Sequence, residues 1–197
     1  MRMLDLFSGL GGASSAFVQA GWEVVRYDNN PKLQYVNYTR IQDILSPEFE
    51  YWDDDPFDFI WSSPPCLEFS NAYAAPKSKA IRNSQKFEPD MSCVLKSIEI
   101  IQHFKPKYWC IENVQGSVPF INKALAVNAP RQIVDPFYFR GVFPYICLDP
   151  YFKHKKSDND YSVNGELRSN FKALIPYEIS CAFLREITEQ TTLEQWY

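Results

Sequence analysis

The chain has no apolar run of the roughly 20 residues needed to cross a bilayer, so no membrane-spanning helix is expected. It also lacks a basic leader before its first strand-like stretch, which points to a cytoplasmic protein. CxxC pairs are missing: five cysteines, an odd number without regular spacing, fit neither a disulfide framework nor a zinc site, and reduced thiols are expected. Only two histidines occur, His103 and His154, and they form no constellation with other ligating or nucleophilic residues. A strong charge of either sign is absent too. The net charge of -4 and pI of about 5.3 give no overall attraction to a polyanion. There is no internal repeat, low-complexity segment or linker.

What remains is a globular composition. The 197 residues are 46 % hydrophobic, 16 % aromatic and 22 % charged, which fits one domain, 1–197, large enough to bury roughly 70 % of its unfolded surface. The pattern alternates between strand and helix. Arg2 to Phe7 reads as a strand, Gly12 to Ala20 as a helix and Glu23 to Tyr27 as a strand ending at Asp28. A short third strand ends near Asp43, and Phe57 to Trp61 is a fourth. Residues from Ser62 to about Phe87 read as loop. A helix follows from about Pro89 to Phe104, with Met91, Val94, Leu95, Ile98 and Ile101 on one face. Tyr108 to Val114 is a second buried-type strand. Residues 115–170 have little periodicity and are expected as a short substrate-facing insertion, and residues 171–197 as a C-terminal helical segment, its amphipathic part from Tyr177 to about Thr188 closing the domain. Such alternation predicts an α/β fold whose ligands bind at the carboxyl ends of a mainly parallel sheet.

Three segments fall at those ends. The first is Leu4-Asp5-Leu6-Phe7-Ser8-Gly9-Leu10-Gly11-Gly12, an apolar strand entering a glycine-rich turn where the backbone can approach a ligand closely. It is not GxGxxG and carries no Walker lysine, so phosphate recognition is not indicated. The second is Ser62-Ser63-Pro64-Pro65-Cys66-Leu67-Glu68-Phe69-Ser70, a cysteine held against two prolines at a strand mouth. The third is Tyr108-Trp109-Cys110-Ile111-Glu112-Asn113-Val114, a strand ending on a carboxylate. Together and in this order they resemble the FSGxGG, PPCQxFS and ENV motifs of the cytosine-C5 DNA methyltransferases. The resemblance covers residues 2 to about 114 well and the rest weakly.

That resemblance implies a Rossmann-like, S-adenosylmethionine-dependent methyltransferase fold with helices on both faces of the sheet. S-adenosylmethionine would lie against Asp5, Phe7, Ser8, Gly9, Gly11, Gly12 and Pro64. Asp28, followed by Asn29, would accept from the ribose hydroxyls, and Asp43 with Ile44 would lie near the adenine. Cytosine C5 is too weak a nucleophile to take a methyl group unaided, so the family adds a thiolate to C6. Cys66 matches that nucleophile, beside Pro65, and its thiol must be lowered in pKa or deprotonated on attack. Glu112 matches the glutamate that hydrogen-bonds N3, with Asn113 holding the loop. Cys93, Cys110, Cys147 and Cys181 read as buried apolar thiols.

The chain also departs from the family pattern. Leu67 stands where glutamine is usual, and no QxRxR motif appears; Arg131-Gln132 and Arg140 are the nearest candidates for an arginine supporting the base. Residues 115–167 alone separate Val114 from Arg168, too few for the usual recognition domain. The expected partner is DNA containing cytosine, in a compact enzyme suited to a virus, mobile element or restriction-modification system, with a homodimer or specificity partner left open. Two basic runs, Lys77, Lys79, Arg82 and Lys86, then Lys153, His154, Lys155 and Lys156, are candidates for contact with it. Alternatives are a silent cofactor-binding module or partner subunit, or an enzyme acting on a free cytosine nucleotide.

Overall fold

The computed structural model describes residues 1–50, 55–154 and 165–194. Lys155 and Lys156 of the second basic run, and the last three residues of the expected C-terminal helix, lie outside them. Among the described residues, seven strands form one sheet: β1 (Arg2–Leu6), β2 (Glu23–Asp28), β3 (Thr39–Ile41), β4 (Phe59–Ser62), β5 (Tyr108–Asn113), β6 (Gln132–Val134) and β7 (Phe137–Val142). Their order is β3-β2-β1-β4-β5-β7-β6. The first five run parallel, and β7 runs antiparallel to both β5 and β6.

The central strands are apolar on both faces because helices cover both. On one face lie α1 (Ser15–Gln19) and α6 (Tyr177–Glu194), which present Phe17 and Phe183 to Phe59, Trp61 and Phe139. The Phe183 ring packs edge-on to Trp61 at 5.0 Å and stacked on Phe59 at 5.8 Å. In α6 the buried positions Ile179, Ala182, Phe183 and Ile187 follow helical spacing. Ser180 ties the two helices together, donating to the Ala13 carbonyl at 2.7 Å and accepting from the Ala16 amide at 3.1 Å. On the other face, α3 (Ser92–Phe104) and α4 (Val118–Ala124) bury Val94, Ile100, Ile101 and Ile121 against Leu4, Leu6, Ile60 and Ile111.

Several expected boundaries shift for local reasons. The helix expected from Gly12 begins at Ser15, because Gly11 at φ +77° still belongs to the turn. β3 stops at Ile41, so Asp43 lies beyond the strand. The segment expected as loop after the cysteine contains a short helix, α2 (Pro76–Arg82), opened by its proline. In α3, Leu95 is exposed although it shares the apolar spacing, and Ser97 is buried in its place. Ser97 succeeds there because its hydroxyl reaches the Ser62 hydroxyl on β4 at 2.8 Å and donates to the Cys93 carbonyl at 2.7 Å. The largest correction concerns residues 115–170, expected as a substrate-facing insertion. Residues 132–142 instead supply β6 and β7 and complete the sheet. A short helix, α5 (Arg168–Lys172), follows, and α6 runs on to Glu194.

Strand order reverses between β1 and β4: β2 and β3 lie to one side, β5 to the other. This switch point opens a crevice beyond the strands' carboxyl ends, where ligands of such sheets bind. The Phe7–Gly12 turn leaves β1 on one wall, and the Ser63–Cys66 segment leaves β4 on the other.

Candidate active site

The turn after β1 is shaped by left-handed backbone at Phe7 (φ +58°), Gly9 (+53°) and Gly11 (+77°). Its Ser8 amide donates to the Tyr27 carbonyl at 3.0 Å, and its Gly11 amide donates to the Ser8 carbonyl at 2.8 Å. Asp28 at the end of β2 holds the turn from the side. One of its oxygens accepts from the Gly9 amide at 2.8 Å and the other from the Asn30 amide at 2.9 Å, which leaves each oxygen a second acceptor position.

Beneath the turn lies a network that sequence reading did not assemble. Asp5, 1 % exposed, accepts from the Ser14 hydroxyl at 2.5 Å. Ser14 in turn accepts from Arg26 Nε at 2.8 Å, and the same guanidinium donates to the carbonyls of Gly11 at 3.2 Å and Asn37 at 2.8 Å. A Cβ on Gly11 would stand 2.6 Å from Arg26 Cζ, so the glycine is required for space as well as for φ. Burial pushes the Asp5 carboxyl up to about 6, against the opposing pull of Arg26 and Ser14. Asp5 thus supports the turn from below. The visible signal for this network was a charged residue, Arg26, inside the apolar run of β2.

The other cofactor candidates separate. Gly12 packs under the C-terminal segment, where a Cβ would lie 2.5 Å from the Ile175 carbonyl. Asp43 is exposed and folds back on its own turn, Oδ1 accepting from the Leu45 amide at 2.9 Å, while Ile44 is buried beneath. Asn29 is exposed beside Asp28. From the C-terminal side, Asn170 of α5 accepts from the Asn30 side chain at 3.3 Å, and Lys32 pairs with Glu166. A cofactor finds suitable groups here: the buried Ser8 hydroxyl has no partner among the described residues, and Asp28 has free acceptor positions above a glycine turn.

On the opposite wall, the Ser63 amide donates to the Leu6 carbonyl at 3.2 Å, extending β4 alongside β1. Pro64 is buried, Pro65 exposed and Cys66 half-buried, with the Cys66 carbonyl accepting from the amides of Phe69 and Ser70 at 3.0 and 2.9 Å. Asn113, at the end of β5, donates from its side chain to the Pro64 carbonyl at 2.8 Å and accepts from the Val114 amide at 2.9 Å. Gly116 continues that clamp: a Cβ there would stand 1.9 Å from the Phe69 carbonyl, so the cysteine loop lies directly on it.

Two titrating groups meet at this wall. Glu112 is 9 % exposed, and burial raises its carboxyl to about 7, opposed by a hydrogen bond from Ser63 and by the Arg140 charge. Burial also pushes the Cys66 thiol up, and the neighbouring Glu112 charge pushes it further. Of the two routes to a thiolate, a lowered ground-state pKa is therefore not the one built here.

Arg140, on β7 opposite Ile111, is 1 % exposed and donates to Asn122 of α4 at 2.6 Å and to the Tyr138 carbonyl at 3.2 Å, with one Nη left without a partner among the described residues. It acts on Glu112 through its charge. Arg131 and Gln132 are elsewhere, on the far edge of the sheet, bonded to Phe143 and Ile146, and they do not reach the crevice. Ser63, Arg26, Asn122 and Gly116 were all missed from sequence, since each acts through a contact made only in three dimensions.

The sheet, its switch-point crevice and the two walls define the Rossmann-like fold of the S-adenosylmethionine-dependent methyltransferases. The model of the C-5 cytosine-specific DNA methylase family matches residues 1–134, and the chain belongs to that family. It is 28 % identical over 159 residues to the type II methyltransferase M.FnuDI of Fusobacterium nucleatum, covering 75 % of this chain and 41 % of that protein. It is 31 % identical over 122 residues to a Frog virus 3 (isolate Goorha) protein described as "Probable DNA (cytosine-5)-methyltransferase", covering 57 % and 53 %. The chain thus spans about half or less of the length of these relatives. Among solved structures, the Dnmt2 methyltransferase of S. pombe is 25 % identical with a TM-score of 0.39 over 59 % of this chain and 35 % of that one. No helix among the described residues is long and apolar enough to cross a membrane.

Proposed function

We propose that the chain methylates cytosine C5 in DNA, with S-adenosylmethionine as methyl donor and Cys66 as nucleophile. One observation carries the reading: a thiol and a carboxyl with a pKa near 7 stand on adjacent strand ends, clamped together by the Asn113 to Pro64 hydrogen bond, across a crevice from a glycine turn. S-adenosylmethionine, held by the Phe7–Gly12 backbone with Asp28 on its ribose, supplies an electrophilic methyl group.

The chain's own residues do the rest. Protonated Glu112 donates to cytosine N3, drawing electron density from the ring. The Glu112 carboxylate takes the Cys66 proton and offers it to N3; the thiolate Sγ bonds to C6, C5 becomes a carbanion equivalent, and C5 takes the methyl group as the donor's sulfur–methyl bond breaks and its sulfur leaves as a neutral thioether. A base then removes the C5 proton, the C6–S bond breaks, and the aromatic ring and Cys66 are restored. Ser63 and Arg140 pull the Glu112 carboxyl downward, keeping it near neutral pH where it can both hold and release a proton. Asn113 is a positioning residue, since its bond is to the Pro64 carbonyl and not to a reacting atom.

The test uses labelled S-adenosylmethionine and DNA carrying 5-fluorocytosine. Fluorine cannot leave as a proton, so the reaction should stall as a denaturation-resistant adduct on Cys66, absent in Cys66→Ala. A Cys66→Ala protein that still methylates C5 at the normal rate would refute the mechanism.

A further inference from the structure

The cysteine loop leads into a surface that the chemistry above leaves unused. Residues 69–87 contain Lys77, Lys79, Arg82 and Lys86 and no aspartate or glutamate, in a chain whose net charge is -4. Their helix, α2, buries none of its own residues. A seven-residue helix with no fully buried residue is marginal in water. It is fastened at its root: Ala75 is buried, Lys77 Nζ donates to the Gly116 carbonyl at 3.3 Å, and Phe69 lies buried on the same Gly116 turn. The outward side carries Lys79 and Arg82, neither of which meets a carboxylate among the described residues, although Lys86 pairs with Glu88.

Beside the helix stands Tyr73, 79 % exposed, with the Arg82 guanidinium 3.9 Å over its ring. The pair is a preformed aromatic and cationic step. It stands seven residues beyond Cys66, on a segment fixed to the Glu112 wall. A polyanion complements the charge, and a flat ring complements the step. An acidic protein would satisfy the charge but leave the ring without a matching face.

We propose that Tyr73 and Arg82 form a stacking step for the base neighbouring the target cytosine in single-stranded DNA, with Lys79 against its phosphate. This deepens the methyltransferase reading and rests on it. The preference for a single strand follows from geometry. In a duplex a neighbouring base gains a free face only once the target is unstacked, at a cost of a few kcal/mol, whereas in a single strand that face is open without the cost. Base–aromatic stacking is tolerant of sequence because every base has a π-face.

The experiment measures binding of the full chain to a labelled single-stranded oligonucleotide with one cytosine, and to the same strand annealed to its complement. Tyr73→Ala and Arg82→Ala should each weaken the single strand roughly tenfold, while Tyr73→Phe binds like the parent. Tyr73→Ala should leave duplex binding unchanged, and its melting temperature should match the parent because the side chain is exposed. Lys79→Ala should weaken both forms and lower the salt slope by about one. Equal losses on both forms, a Tyr73→Phe defect as large as that of alanine, or unaltered single-strand binding in Tyr73→Ala would each overturn the proposal. Displacement of the strand by poly-aspartate at equal charge would overturn it in favour of an acidic protein. Adduct formation with 5-fluorocytosine separates the two readings. No adduct in the parent on any DNA form defeats the methyltransferase reading, whereas an adduct whose dependence on oligonucleotide concentration is the same in Tyr73→Ala defeats only the stacking step.

Discussion

The two walls of the crevice are built in opposite ways. Under the cofactor turn, Asp5, Ser14 and Arg26 are all buried and bonded to one another, and Arg26 fills the space a larger residue at Gly11 would need. Past Cys66, the chain is pinned at Phe69, Ala75 and Lys77, and then offers a helix with nothing buried. A small cofactor must be oriented once and for all, which favours a closed network. On the proposed reading a polymer would enter and leave past Cys66, which favours an open, charged surface anchored at its root.

The deepest break in that contrast comes from Arg26→Met. It leaves Asp5 buried without its cation, and removing one partner of a buried pair costs roughly 3–5 kcal/mol. The loss depends on pH with a definite sign. The folded-state pKa of Asp5 is about 6, above its ordinary 3.8, so the folded chain binds the extra proton between these values and loses stability as pH rises through them. Without Arg26 the carboxyl titrates higher still. Urea midpoints should therefore show a small deficit at pH 4 and the full one at pH 8. A deficit that does not change with pH would show that Arg26 acts by packing alone.

How much of this was legible in the sequence divides along the same line. Strand ends carrying Gly9, Gly11, Asp28, Cys66 and Glu112 were readable because turn glycines, a double proline and an apolar run stopping at a carboxylate are local signals. Residues 132–142 were not, because β6 has three residues, Asp135-Pro136 separates it from β7, and their apolar residues acquire meaning only beside β5. Ser97 broke the apolar pattern of α3 because its partner, Ser62, is 35 residues away. Arg140 could be named as one candidate for an arginine supporting the base, but not told apart from Arg131. What decides its role is a bond to Asn122 on a helix and a charge felt by Glu112, neither of which has a sequence period.

A smaller break tests the reactive wall. On the proposed mechanism the productive form pairs a Cys66 thiolate with a protonated Glu112, and one proton shared between them persists from the carboxyl pKa of about 7 up to the thiol pKa above 9.0. The kcat/KM profile should therefore rise to about pH 7 and stay level past pH 9. In Glu112→Gln the amide does not titrate, so the rise should follow Cys66 alone and move above pH 9.0, since burial still holds the thiol up, with activity near pH 7 reduced roughly a hundredfold. A Glu112→Gln profile with the parent's acid limb would assign that limb to another group.

The smallest effect is the one that most directly tests the difference between the walls. Ile81 on α2 is 64 % exposed, an apolar side chain on a helix that buries nothing of its own. If α2 is held only at its root, Ile81→Ala should change unfolding free energy by no more than about 0.5 kcal/mol, as for other surface positions away from structural features. Alanine is also the better helix former, which moves the net effect in urea unfolding toward stabilisation. A cost near 2 kcal/mol would instead mean that Ile81 leaves water in solution, for which the only route is packing of α2 onto the body of the protein or onto a second copy. Repeating the measurement over a tenfold range of protein concentration separates those cases, since burial between copies weakens on dilution and burial within one chain does not. Either result would turn the open wall into a closed one and remove the basis for treating its exposed ring and cations as a landing surface.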